Sequence, residues 1–325
     1  MRPFAYQAPT SVGEAVALLT REGARARPMA GGTDLLVQLR RGLYDLDLVV
    51  DVKRIPEFDQ LSFDPGAGLV VGAAVSCARL CQDPAVQQVY PGLVDAASII
   101  GGPAIQGRAT VGGNLCNAAP SGDAIPAMIV LRATCVIAGP RGTRTVPVEA
   151  FCTAPGETVL GKGELLVSIH FPAPLPRSGA RYLRFIPRRE MDIAVVGAGA
   201  WVALGGNQGL RDDRSTIADA RIALGAVAPT PLLVEEAGAA LIGRSPDEGV
   251  FAEAARLAQE AVRPIDDVRG TRAQRHHLVG VLVQRALRGA VCRARGDPLA
   301  LDKRSCGIAA IQREQELEKG GRRDG

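Results

Sequence analysis

The sequence predicts an α+β protein of two modules, a two-part α/β unit over residues 1–173 and a small α+β unit over residues 178–290. Three observations predict it. Apolar runs over residues 1–55 alternate helix, strand, helix, strand. A Pro-rich stretch, PAPLPRSGA, begins at Pro172 and reads as a linker. Beyond it three strand-like runs come together and three helical runs follow, the order of a separate α+β unit. A chain of 325 residues accommodates this division at roughly 100–200 residues per domain.

TSVGEAVALLTREG carries a capping box, Ser11 followed by Glu14. Val12, Val16 and Leu19 then share a face, and Gly23 ends the helix. ARPMA is a short strand, GGTDLLVQLRRGL a helix, and DLDLVVDVKRI a strand apolar enough to be covered on both faces. From residue 56 a second part begins. QLSFDPGAGLVVGAAV is a hairpin turned at Asp64, Pro65 and Gly66. PAVQQVYPGLVDAASII is helical, residues 109–115 are strand and loop, and AIPAMIVLRA is helix. TCVIAGPRGTRTVPVEAF is a second hairpin and GELLVSIHFPAP a further strand. In the second module RYLRFIP, DIAVVGAGAWVAL and TIADARIALGAV form a three-stranded sheet. LLVEEAGAALIG, EGVFAEAARLAQEAV and RAQRHHLVGVLVQRALRGAV are its helices. Residues 291–325 are a polar tail expected to be loosely ordered.

Composition excludes several classes. The apolar fraction of 47% and charged fraction of 22% are those of a globular protein. Aromatic residues are only 4%, so the core is aliphatic. A net charge of +4 is too mild to argue for nucleic acid. The chain has seven Cys, no CxxC and no export signal, which reads as free thiols in a reducing cytoplasm. Three His and an isolated Cys77/Cys81 pair supply no four-ligand metal site. No apolar run approaches the ~18 residues of a membrane span. GxSxG and the P-loop pattern are both absent. The His276–His277 pair lies on an Arg-rich helix and reads as a solvated or interface face. Gly197 and Gly199 resemble the start of a dinucleotide fingerprint, but the third position is Val202 and the run continues as a strand.

Gly is abundant at 38 residues, and two glycine pairs stand out. In AGGTDLL a strand meets Gly31 and Gly32, then Thr33 and Asp34 open a helix. In TVGGNL, Gly112 and Gly113 precede Asn114. Glycines allow positive φ and close backbone approach, and successive N–H groups at a helix start form an anion nest. Each loop alone also fits a tight turn, with Thr33 as an N-cap. Asp123 stands just before AIPAM, where Pro126 requires an early helix position. It is either an N-cap or an acceptor for ligand hydroxyls. Two nests facing one crevice would suit a pyrophosphate.

With both loops in view, the chain resembles the FAD-binding medium subunit of the molybdenum hydroxylases, the carbon monoxide dehydrogenase and xanthine dehydrogenase-like enzymes. AGGTDLL is similar to the family's first flavin-phosphate loop. ATVGGNLCNAAPSGDAIPAMIVLRA is similar to its second, including the spacing to Asp123. GELLVSIHFP resembles the strand that closes the flavin domain. YLRFIPRREMDIAVVGAGA and VRPIDDVRGTRAQRHHLVGVLVQRAL resemble the C-terminal domain. The resemblance spans about residues 1–290. It implies an FAD domain of the vanillyl-alcohol-oxidase type and then a small α+β domain. Ala30, Gly31, Gly32, Thr33, Asp34 and Leu35, with Thr110, Val111, Gly112, Gly113 and Asn114, would cradle the pyrophosphate. Asp123 would hold the adenosine side. Leu166 and Ile100 would lie near the cofactor, as would Arg184, at a position where the family often has Lys.

The resemblance also implies a molybdenum-binding large subunit and a [2Fe–2S] small subunit as partners, in a dimer of heterotrimers. The location would be cytoplasmic or at the inner face of the membrane. Electrons would pass from the iron–sulfur clusters through FAD to an acceptor, with no catalytic acid or base and no metal on this chain. One departure is Ile105-Gln106-Gly107, where many members read IRN. A self-sufficient flavoenzyme would need an acid or base over the flavin, and none is evident. A cofactor-free scaffold would have no use for both glycine pairs and Asp123.

Overall fold

The computed structural model describes residues 2–188, 191–206 and 215–297. The tail from residue 298, with Cys306, lies outside the described residues. The first unit contains β1 (Ala5–Gln7), α1 (Val12–Glu22), β2 (Ala26–Met29), α2 (Leu35–Arg40) and β3 (Leu48–Asp51). Its sheet is parallel in the order β1-β3-β2. Ser11 Oγ caps the helix by accepting from the Glu14 N–H at 3.2 Å, and the Glu14 carboxylate reaches back one residue beyond the box partner, accepting from the Thr10 N–H at 2.9 Å. β1 is not evident from its sequence. Its three residues are all exposed, so no burial pattern marks it, and backbone pairing with β3 defines it.

The second unit contains β4 (Leu61–Asp64), β5 (Gly68–Gly72), α3 (Cys77–Gln82), α4 (Pro84–Val89), α5 (Pro91–Ala97), α6 (Pro103–Gln106), α7 (Val111–Cys116), α8 (Ala124–Val130), β6 (Thr134–Gly139), β7 (Gly142–Pro147), β8 (Cys152–Ala154), β9 (Glu157–Thr158) and β10 (Leu165–Phe171). Five of its strands form an antiparallel sheet, β4-β5-β10-β6-β7. Pro84, Pro91 and Pro103 each take a first helical position, where the missing N–H costs nothing, so the helical stretch is divided into short pieces.

The expectation of strand and loop over residues 109–115 is corrected. Thr110 is extended, and its hydroxyl accepts from the Gly113 N–H at 2.8 Å. The chain is helical from Val111. Two glycines and a β-branched residue are poor helix formers. The cap and the complete burial of Val111 and Leu115 override that propensity.

The third unit contains β11 (Ser178–Phe185), β12 (Val196–Leu204), β13 (Ile217–Gly225), β14 (Leu232–Leu233), α9 (Glu235–Ala239), α10 (Glu248–Ala261) and α11 (Arg272–Arg295). Three long strands and the short β14 form an antiparallel sheet in chain order. The LLV stretch expected to begin a helix starts instead with β14. α11 runs on to Arg295, beyond residue 290, and ends at Gly296 in the left-handed conformation.

All seven residues of α8 are buried, because it packs both within its own unit and against β12 and β13. Gly197 and Gly199 lie inside the fully buried strand β12. A Cβ on Gly199 would come 3.0 Å from the Pro126 carbonyl oxygen. Close packing of β12 on α8 therefore accounts for that glycine, and no strand–turn–helix is present there.

Candidate functional site

A cavity of about 570 Å³ lies between the first unit and the large antiparallel sheet. Its size is in the range of small-molecule sites. The turn from β2 into α2 forms one wall, with Ala30 to Leu35 all lining it. The start of α7 forms another, through Thr110, Gly112, Gly113 and Asn114. Ile100 and Leu166 also line it, together with Val52 and Phe58. The two glycine pairs, widely separated in sequence, thus meet at one space.

Their backbone geometry differs. At the first turn Gly32 has φ +76°, and a Cβ on Gly31 would lie 1.9 Å from the Arg108 carbonyl oxygen. None of the N–H groups from Gly31 to Asp34 donates to another protein group among the described residues. Neither Thr33 nor Asp34 caps α2: the cap position is Asp34, and its side chain makes no capping bond. At the second turn the Gly113 N–H is taken by Thr110, and that of Asn114 by the Thr110 carbonyl at 2.9 Å. The Gly112 N–H has no acceptor among the described residues. Gln38 Nε2 joins the two walls by donating to Asn117 Oδ1 at 2.9 Å.

These donors fit an anionic group such as a dinucleotide's pyrophosphate, and the apolar walls fit a flat ring system. Two carboxyl groups line the cavity: burial pushes that of Asp34 up, and that of Glu164 is paired. Glu164 accepts from Arg144 at 2.7 and 2.9 Å and from the Gly161 N–H at 2.7 Å. The Arg144 hydrogen bonds hold its carboxyl down at about 2.

Val111, Asp123 and Arg184 do not line this cavity. Val111 is buried in the core. Asp123 occupies the cap position of α8 but makes no capping bond there. Its carboxylate instead accepts from Tyr182 Oη at 2.9 Å and from Arg184 Nη1 at 2.5 Å. Burial pushes the Asp123 carboxyl up, against the pull of Arg184 and of the Tyr182 hydroxyl. Asn114 Oδ1 accepts from the Ala124 N–H at 3.2 Å, so the second turn and the start of α8 are tied together.

Residues 2–174 match the model of the FAD binding domain in molybdopterin dehydrogenase, and residues 181–290 match the CO dehydrogenase flavoprotein C-terminal domain. The chain belongs to the FAD-binding medium-subunit family of the molybdenum hydroxylases. This flavoprotein is 34% identical over 290 residues to the carbon monoxide dehydrogenase medium chain of Hydrogenophaga pseudoflava, covering 89% of this chain and 98% of that one. It is 30% identical over 293 residues to the xanthine dehydrogenase FAD-binding subunit of Escherichia coli O157:H7, covering 90% and 97%. Among solved structures, carbon monoxide dehydrogenase from Hydrogenophaga pseudoflava superposes with a TM-score of 0.84 at 34% identity, covering 90% of this chain and 99% of that one. Quinoline 2-oxidoreductase from Pseudomonas putida 86 superposes with a TM-score of 0.82 at 32% identity, with coverage of 90% and 99%.

Other parts of the flavoprotein's cavity escape sequence reasoning. Arg27 stacks over the Tyr44 ring at 3.9 Å, and both line the cavity. So do Thr158 and the segment from Leu160 to Leu165. Gly163 to Leu165 open the GELLVSIHFP stretch already read from the sequence; the others carry no motif, and the fold brings them in where β10 returns beside β5. The unusual Gln106 is buried and donates through Nε2 to the Ser98 carbonyl at 2.5 Å. It thereby braces the loop that carries Ile100. Among the described residues no group of His, Cys, Asp and Glu could hold a metal. None of their helices is long and apolar enough to cross a membrane.

Proposed function

We propose that this flavoprotein is the electron-relay subunit of a molybdenum-dependent hydroxylase. Substrate would be oxidised at molybdenum on a large partner, and [2Fe–2S] clusters of a small partner would deliver the electrons to the cofactor held here. An external acceptor would then take them. Bound FAD supplies chemistry that side chains lack, taking electrons singly and releasing them singly or in pairs. The chain's own task is to bind and orient it. The observation that carries this reading is the set of unclaimed N–H groups from Gly31 to Asp34, on a turn that lines the same cavity as the Gly112 turn.

In this reading Ala30 to Leu35 and Thr110 to Asn114 receive the pyrophosphate, and Ile100 and Leu166 flank the flavin. Asp123 and Arg184 serve the site through their mutual contact, which anchors the α7–α8 corner to β11. Residues 1–173 and 178–290 act as the FAD-binding and C-terminal domains. The working assembly is a dimer of heterotrimers in the cytoplasm, reaching the inner membrane face only through partners.

The test is FAD uptake by the full chain, with Gly113→Val beside it. A Cβ on Gly113 would meet only the Thr110 hydroxyl, at 3.0 Å. The variant is therefore expected to fold and to lose flavin absorbance. Full FAD content in the folded variant would remove the second turn from the site.

A further inference from the structure

The first turn has a support outside the cavity. Lys53 Nζ donates to the Ala30 carbonyl at 3.0 Å and to Asp51 Oδ1 at 2.7 Å. Asp51 is buried. It also accepts from the Lys53 N–H at 3.0 Å and, through Oδ2, from the Tyr6 hydroxyl at 2.5 Å. These contacts follow from the register of the parallel sheet. Met29, the last residue of β2, pairs with Asp51, the last residue of β3. Beyond Asp51 the chain makes one 3-10 turn, Val52–Arg54, capped by Asp51 itself. That turn carries Lys53 back beside Ala30.

The peptide linking Ala30 to Gly31 is trans. In a trans peptide the C=O and the following N–H point in opposite directions. Holding the Ala30 carbonyl at Lys53 therefore directs the Gly31 N–H to the side away from Lys53. On the side where a Cβ would stand, Gly31 is closed off by the Arg108 carbonyl oxygen, so the peptide has a hydrogen bond at its carbonyl and a steric wall beside its Cα.

We infer that Lys53, set by Asp51 and Tyr6, is a positioning residue that orients the first backbone turn toward the FAD phosphates. It does not line the cavity and acts through the Ala30 carbonyl. The inference rests on the reading that this turn receives the pyrophosphate. Its charge is already matched by Asp51, so the part it plays is directional. Without the Lys53 ammonium the Ala30–Gly31 peptide would be able to rotate, and the donor row would lose its alignment.

The experiment measures FAD and ADP affinity on the full chain by flavin-fluorescence quenching and calorimetry. It compares wild type, Lys53→Met, Lys53→Arg and Tyr6→Phe. ADP carries the pyrophosphate without the flavin. Lys53→Met is expected to weaken both ligands about tenfold, the scale of one well-directed hydrogen bond. Its apo melting curve should remain cooperative. Lys53→Arg, which still offers a donor to the Ala30 carbonyl, should recover most of the loss, and Tyr6→Phe should show a smaller loss of the same kind. FAD and ADP affinities within twofold of wild type in Lys53→Met would overturn the inference. A loss that tracks only the fraction of unfolded apo-protein would overturn it as well. Wild-type chain that binds neither FAD nor ADP would sink the FAD reading itself, a different outcome from failure of the Lys53 variants alone.

Discussion

Asp123, at the start of α8 in the second unit, is held by Arg184 of the third, with Oδ2 and Nη1 2.5 Å apart. Their side chains are 10% and 8% exposed, so the pair is removed from water. Tyr182 completes the contact from the same strand. The acid that closes the second glycine motif is thus also the joint between the flavin-binding part and the C-terminal domain.

Asp123→Ala should destabilise the apo-protein by about 3 kcal/mol, because it leaves the Arg184 guanidinium buried and unpaired. Urea unfolding of the apo-chain reads this directly. The triple replacement Asp123→Leu/Tyr182→Phe/Arg184→Met should recover most of the loss, since apolar groups of similar volume fill a buried site and leave neither a charge nor the Tyr182 hydroxyl unpaired. A single mutant as stable as wild type would show that the pair is dispensable.

Gly112 and Gly113 should respond differently although adjacent. A Cβ on Gly112 would lie 2.6 Å from the Ala73 carbonyl oxygen. Gly112→Ala must then push α7 away from the end of β5 and should cost about 2 kcal/mol of apo stability. Gly113→Val should spare the fold and affect FAD instead. Equal apo melting temperatures for Gly112→Ala and wild type would contradict the packing.

Thr110→Ala removes the cap of α7 and frees the Gly113 N–H. The expected cost is about 1 kcal/mol, with Thr110→Ser retaining most of the stability. Hydrogen exchange at Gly113 should quicken in the Ala variant and stay slow in the Ser variant.

The pH dependence should carry the signature of Glu164. Its carboxyl is held down at about 2 by Arg144, whereas an unfolded chain has glutamate near ~4.3. A depressed folded value means that the stabilisation is complete above the unfolded value and is lost as pH falls toward the folded one. Stability should therefore decline between about pH 4.5 and 2, with Glu164 contributing about 2 kcal/mol once solvent screening of the partly exposed Arg144 is discounted. Glu164→Gln should be less stable at pH 7 and show a shallower acid limb in urea titrations at successive pH values.

Much of this molecule could be read locally. The Ser11–Glu14 box, the Asp64-Pro65-Gly66 hairpin, the alternation of apolar runs and the linker at Pro172 depend on residues only a few positions apart. So does the identification of both glycine turns, because close backbone approach needs glycine wherever it occurs. Short-range signals failed in two kinds of place. At β1 three exposed residues form a strand through backbone pairing with β3 and the Tyr6 hydroxyl bond to Asp51. At α7 two glycines become helical because Thr110 caps them and Val111 and Leu115 are buried.

The site divides along the same line. Residue type and spacing were enough to single out Gly31, Gly32, Gly112 and Gly113 as turns of close backbone approach, and the fold brings both turns to one cavity. That Arg108 closes the back of Gly31, that Lys53 holds the Ala30 carbonyl, and that Asp123 faces Arg184 rather than the cavity came only from the folded chain. The reason is that a hydrogen bond and a steric contact are pairwise quantities. Each needs a second atom whose position is set by strand register and domain packing, not by neighbouring residues. A turn's need for glycine is a property of one residue's own φ, ψ and Cβ, so it is written in the sequence. The partner that gives the turn its direction is written in the fold.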